Sequence, residues 1–410
     1  MKSITFVQKM FREYYANDFC LRKSFPVIEK REFGFASFEG YMLRHKGFQN
    51  KDELSFFLRD SVPRDAYLSC AFYENPEAEM EKKGWVGADL IFDIDADHVP
   101  TSCGKVHDEW TCGDCGFVGK GVAPERCPVC GSEKFEVGTW PCEVCLASAK
   151  VETAKLLDML ARDFGFLEKE ARVFFSGHRG YHVHVENENV KMLDAVARKE
   201  IVDYISGLGL DAILHGEGRK SWKRAPVVSS SPLSNFGWNW RIARGVRDFI
   251  LNARKEDFSG MGVKRNIAES ILRNKDAILK SWEESGVLSA VKGLGFETWR
   301  KIIEFCVRNQ AAKIDTVVTT DIHRLIRMPE TLHGKTGLKK VEFPASAIGD
   351  FDPFKDAVAF KNGAVSLFVF DAPKFRLGDE IFGPYRNQKV ELPTAAAMLL
   401  ICRDKAEVVE

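Results

Sequence analysis

The sequence has no excess of charge of either sign, since 59 lysines and arginines face 59 aspartates and glutamates over 410 residues. No global positive field marks a nucleic-acid binder, so any basic groove must be local. Long hydrophobic runs are missing too. The start, MKSITFVQKMFREYY, has no signal-peptide core, and the longest late apolar run, AAAMLLIC, is far too short to span a bilayer. A soluble, cytoplasmic chain is expected. There are no internal repeats and no low-complexity tracts. Cysteine is sparse outside one stretch: seven of eleven lie in Cys103–Cys145, which in a chain of this length points to metal rather than disulfides. Cys20, Cys70, Cys306 and Cys402 read as ordinary buried thiols.

What is present begins with LIFDIDADH, residues 90–98, an apolar run that ends in carboxylates at alternate positions. Side chains alternate along a strand, so Asp93, Asp95 and Asp97 are expected on one face, roughly 7 Å between neighbours. Such carboxylates repel one another unless a cation lies between them. The plainer alternative is a strand that frays at Asp95 into a solvated turn. Aspartates at strand ends are also where hard-metal sites are built.

The cysteines form two nested sets. Cys112-x2-Cys115 and Cys127-x2-Cys130 are knuckles eleven residues apart, each followed by glycine, and their four thiolates close a tetrahedral zinc site. Cys103, His107, Cys142 and Cys145 bracket that ribbon as a second set, with His98 an alternative to His107. Both sites read as structural Zn²⁺, because four protein ligands leave no open position for chemistry.

SGHRGYHVHV, residues 176–185, reads as a glycine loop entering a strand. Gly177 and Gly180 allow close backbone approach, and Arg179 offers a fork suited to phosphate. His182 and His184 share one strand face, an arrangement as common in plain strands as in sites. Further on, residues 315–338 hold Asp315, His333 and Lys335. GKT at residues 334–336 is not a P-loop, because Pro329 stands where that motif needs glycine. Basic groups near hard-metal carboxylates suit a polyphosphate substrate.

The elements are mixed, so the fold class is α+β. Phe6, Met10 and Tyr14 predict an opening helix, and residues 31–48 a hairpin around Glu39-Gly40. Helix is expected over 51–61, 146–163, 188–206, 265–283 and 297–310. Strand is expected over 66–73, 86–95 and either side of the glycine loop, with strand-like and loop signals over 313–343. The domain reading is a catalytic core in three parts, 1–102, 146–209 and 311–410 with the C-terminal region, interrupted by a zinc-binding module at 103–145 and a mainly helical subdomain at 210–310.

In this order, REFGF at residues 31–35, FDIDADH, the adjoining zinc knuckle, SGHRGYHVHV and HRLIRMPETLHGKTGL resemble the small catalytic subunit of archaeal and eukaryotic replicative DNA primase, in its archaeal form. The resemblance spans most of residues 5–343. It departs in the knuckle, which is compact in that family and here encloses the Cys112–Cys130 ribbon. It implies a mixed α/β primase core in which Asp93, Asp95 and Asp315 hold two Mg²⁺ or Mn²⁺ ions. It also implies that Ser176, Arg179, His182, His333 and Lys335, with Arg31 by context, bind the incoming nucleoside triphosphate. The implied activity is template-directed synthesis of short primers on single-stranded DNA. The implied partner is a large subunit carrying an iron–sulfur cluster, for which this chain has no second cysteine cluster. Three other readings stand beside it: a repair- or plasmid-type primase-polymerase, a metal-dependent sugar transferase, and a non-enzymatic zinc-ribbon nucleic-acid-binding factor.

Overall fold

The structure is a computed structural model and describes residues 2–21, 27–210, 228–230, 234–286 and 295–409. The chain divides into two compact units. The larger comprises Met1–Thr153, Glu168–Arg198 and Ile314–Glu410, the smaller Ala154–Leu167 and Lys199–Lys313.

Two antiparallel four-stranded sheets build the larger unit. One runs in the order Leu325–Arg327, Asp65–Ser69, Phe33–Ala36, Met42–Lys46; the other Val341–Phe343, Ala171–Phe175, Gly180–Val185, Leu90–Asp95. The expected hairpin is the Phe33–Ala36 and Met42–Lys46 pair, and the expected helices near the start are Lys2–Asn17 and Lys51–Ser61. In the second sheet His182 stands opposite Asp93 and Gly180 opposite Asp95. Every residue of Gly180–Val185 is buried, so its histidine face lies inside the protein rather than in solvent. Gly180 is required there, because a Cβ would lie 2.4 Å from the Ile94 carbonyl oxygen. A three-stranded ribbon (Val118–Lys120, Glu109–Cys112, Phe135–Gly138) carries the cysteines. The C-terminal region forms another three-stranded sheet, Tyr385–Pro393, Ala364–Ala372 and Ala406–Val408, backed by the helix Thr394–Cys402.

The smaller unit is helical. Gly237–Asn252, Arg265–Arg273, Lys275–Ser285 and Phe296–Gln310 surround buried Val246, Trp282, Ile302 and Ile303. Buried Arg241 ties Asp158 and Asp163 at 2.7 Å each. Residues 211–227, 231–233 and 287–294 of the expected helical stretch lie outside the described residues.

Three expectations change in detail. The helix over 188–206 is two, Glu188–Lys191 and Ala195–Ser206, because the Asp194 carboxylate takes the Ala197 N–H at 2.8 Å and starts the second afresh. The helix over 265–283 breaks at Asn274. The β-branched run after Asp315 is a short helix, Thr316–Thr320, capped by that aspartate. No described helix is long and apolar enough to cross a membrane.

Candidate active site and metal centres

Alternation along Leu90–Asp95 buries Leu90, Phe92 and Ile94 completely on one face and leaves Asp93 and Asp95 partly open on the other. The strand ends there. Asp97 leaves that face, because Ala96–His98 turn back in a short 3-10 helix whose Asp97 N–H donates to the Asp95 carboxylate at 2.9 Å. Asp315 arrives from elsewhere in the chain: its N–H donates to the Asp93 carbonyl at 2.8 Å, while its carboxylate accepts from Val317 N–H at 3.0 Å.

Burial, then the charges of Asp95 and Asp315, push the Asp93 carboxyl up to about 7. Burial and the Asp97 charge raise Asp95 as well. His182 Nε2 lies 3.6 Å from Asp93 Oδ1, but burial and the nearby Lys340 and Arg327 charges hold this imidazole neutral. The trio therefore gathers negative charge with no imidazolium to offset it, in an all-oxygen donor set of the type hard divalent cations take.

The thiolate groups are tighter. Among the described residues, two groups bring all their ligand atoms within 4.8 Å of one another: Cys103, His107, Cys142, Cys145, and Cys112, Cys115, Cys127, Cys130. His107, not His98, completes the outer set. Its Nε2 stands 3.4 Å from both Cys103 Sγ and Cys145 Sγ, which lie 3.5 Å apart. In the inner set Cys112 and Cys130 are 3.5 Å apart and Cys115 and Cys127 3.6 Å. A tetrahedral centre with metal–sulfur bonds of ~2.3 Å has edges of about 3.8 Å, so both groups fit zinc. His107 Nδ1 is 2.8 Å from Asp108 Oδ1, an arrangement that frees Nε2 for the metal.

The glycine loop lies beside the aspartate strand. Ser176 Oγ accepts the N–H groups of His178 and Gly180, at 3.3 and 3.2 Å, and keeps its own proton to donate. The later turn docks onto the same loop, with Thr336 Oγ1 donating to the Gly177 carbonyl at 2.6 Å. Gly334 N–H donates to Asp65 at 2.8 Å, where a Cβ would lie 2.5 Å from Arg64 Cγ. Asp65 is fixed in turn by Arg327 at 2.7 Å. His333 stacks on His178, ring centroids 5.0 Å apart, and Lys335 is exposed.

Two expected phosphate ligands are placed otherwise. Arg179 is fully buried: it bonds both oxygens of Asp108 at 2.7 Å, pairs with Asp97, and approaches the Trp140 carbonyl. Arg31 is buried against Asp89 at 2.6 Å and the Ser69 carbonyl at 2.7 Å, over the Phe72 ring. Neither guanidinium is exposed to a ligand, because each is buried against a carboxylate that would otherwise lack a counter-charge, although Arg179 Nε and Asp89 Oδ1 have no hydrogen-bond partner among the described residues. Sequence reasoning passed over Asp108, Asp65 and His178. The His107-Asp108 neighbours were the one available signal, since a metal-bound histidine commonly leans on a carboxylate.

Fold and site together define a class: a mixed α/β core with an acidic strand end beside a basic glycine turn and an inserted thiolate metal module. The DNA primase small subunit family matches residues 138–344. Relatives match almost end to end. The DNA primase small subunit PriS of Nitrosopumilus maritimus is 31% identical over 99% of this chain and 98% of its own length. That of Methanothrix thermoacetophila is 33% identical over 99% of each, and that of Methanoregula boonei 34% over 98% of each. The chain belongs to the DNA primase small subunit family, the catalytic, primer-making side of primase, whose chemistry is nucleotidyl transfer.

Proposed function

We propose that the chain builds short primers on single-stranded DNA from nucleoside triphosphates, with Asp93, Asp95 and Asp315 holding two Mg²⁺ or Mn²⁺ ions. The observation that carries this is the meeting of three aspartates: Asp93 and Asp95 share the partly open face of one strand end, and Asp315 is tied to it by its N–H on the Asp93 carbonyl at 2.8 Å, a charge gathering that cations relieve. Asp93, Asp95 and Asp315 would hold the ions, which when bound would supply activation of the primer 3′-hydroxyl for attack on the α-phosphate and charge stabilisation of the departing pyrophosphate. Ser176 offers its hydroxyl proton, and His333 and exposed Lys335 offer donors, to the triphosphate oxygens, while His182, buried 3.6 Å from Asp93, is the most enclosed of the group. Arg179 and Arg31 act from behind as positioning residues: Arg179 holds the Asp97 turn that ends the aspartate strand, and Arg31 holds Asp89 just before that strand begins.

The Zn²⁺ sites are structural in this reading and organise the module at 103–145. The DNA template, and a large subunit with an iron–sulfur cluster, are its partners, in the cytoplasm. The test is incubation with an unprimed single-stranded template, labelled nucleotides and Mg²⁺ or Mn²⁺, the large subunit present, with products sized and exposed to alkali. Short products that require template and metal support the reading. A clean negative would remove it, and alkali sensitivity reports whether ribonucleotides were used.

A further inference from the structure

Arg403 follows the helix Thr394–Cys402 in the C-terminal region. Its Nε is buried and has no hydrogen-bond partner among the described residues. A buried donor left unmade costs on the order of 1–3 kcal/mol and calls for an explanation. The acid whose charge acts on it most, Asp108, is already committed to Arg179 and His107.

Its surroundings supply a reason. Nη2 rests against Gly138, 3.6 Å from where a Cβ would stand, so the absent side chain leaves the fork lying along the backbone. The next residue, Thr139, places Oγ1 3.3 Å from His178 Nε2. His178 stacks on His333, and His333 Nδ1 accepts the Lys335 N–H at 3.1 Å. A row thus runs from the guanidinium past Gly138 and its neighbour Thr139 to His178 and His333, and the exposed Lys335 carries a charge that acts on both imidazoles. Burial holds both imidazoles neutral, and the Arg403 and Lys335 charges depress them further. Cations that converge on neutral donors, with Asp108 spoken for and Asp404 turned out to solvent, form a place for an anion.

We propose that Arg403 is a further binding residue for the triphosphate of the incoming nucleotide, contributed by the C-terminal region to the site that His333 and Lys335 begin. The inference rests on the reading of that turn as the triphosphate site. Arg suits the task, because its planar fork pairs two phosphate oxygens at once.

The experiment is steady-state extension of a preformed primer by the full chain with its large subunit, with nucleotide titrated for the parent, Arg403→Gln and Arg403→Lys. Template affinity, bound zinc and thermal melting are measured in parallel. In Arg403→Gln the nucleotide KM rises roughly tenfold, the scale of one charge-assisted hydrogen bond. Template affinity and zinc stay at parental values, and Arg403→Lys recovers part of the loss. A KM within twofold of the parent overturns the proposal. So does a glutamine variant that fails to fold or loses zinc, because the guanidinium would then be a structural tie. A parent that extends no primer at all would strike instead at the nucleotidyl-transfer reading beneath it.

Discussion

Asp108 accepts a hydrogen bond on each oxygen from one guanidinium nitrogen of Arg179, at 2.7 Å to each, while Oδ1 also lies 2.8 Å from His107 Nδ1. Burial favours the neutral acid, but these bonds and the Trp140 N–H hold the carboxyl down at about 2. One buried carboxylate thus joins the outer metal group to the loop that ends the aspartate strand, because Arg179 also pairs with Asp97.

Asp108→Asn therefore loosens two things at once. Arg179 keeps Asp97 as its only carboxylate partner, and removing one side of a buried pair costs about 3–5 kcal/mol. His107 loses the carboxylate that orients it. The variant is expected to melt well below the parent and to release outer-site zinc more readily to a chelator. Unchanged melting and zinc retention would separate the metal module from the site.

The two metal groups should differ in what they support. The inner ribbon leaves and re-enters between the outer ligands, so replacing residues 111–131 by a short Gly/Ser linker should lower bound zinc from two ions to one while extension of a preformed primer survives. Cys142→Ser or Cys145→Ser should instead damage folding, since loss of structural zinc removes folding free energy. Mass spectrometry of metal content beside an extension assay decides between them.

The Asp93 shift makes stability depend on pH in a direction that can be checked. Its carboxyl is raised in the fold from 3.8 to about 7, so the folded state binds this proton more tightly than the unfolded one. That contribution is fully present below pH ~4 and is lost as pH rises through ~7. In chelator, Asp93→Asn should melt above the parent at pH 8, by at least ~2 °C, and the gap should close towards pH 4. Added Mg²⁺ should narrow it at pH 8 by stabilising the parent. A gap that widens on acidification contradicts the shift.

Much of this was legible in the sequence, for physical reasons that differ by residue. The alternation at Asp93 and Asp95 and the spacing of the eight zinc-type ligands are local patterns, and local geometry carries them into the structure. The burial of Arg179 was not legible: its partner Asp108 lies 71 residues away, and a motif names a residue type without naming what neutralises it. The turn at Asp97, weighed only as the plainer alternative, and the helix at Thr316–Thr320, which was not expected, share one physical cause. In both, an aspartate side chain takes a backbone N–H and caps a short helix, and at Thr316–Thr320 this overrides the strand preference of a β-branched run.

The central claim is that Asp93, Asp95 and Asp315 act together on divalent ions. The most direct measurement is extension of a preformed primer, with Mg²⁺ titrated, by Asp93→Ala, Asp95→Ala and Asp315→Ala, with circular dichroism to confirm the fold. Each variant is expected to fold as the parent does and to lose at least about a hundredfold in rate, without recovery at high Mg²⁺. Folded variants that extend within threefold of the parent would contradict the account.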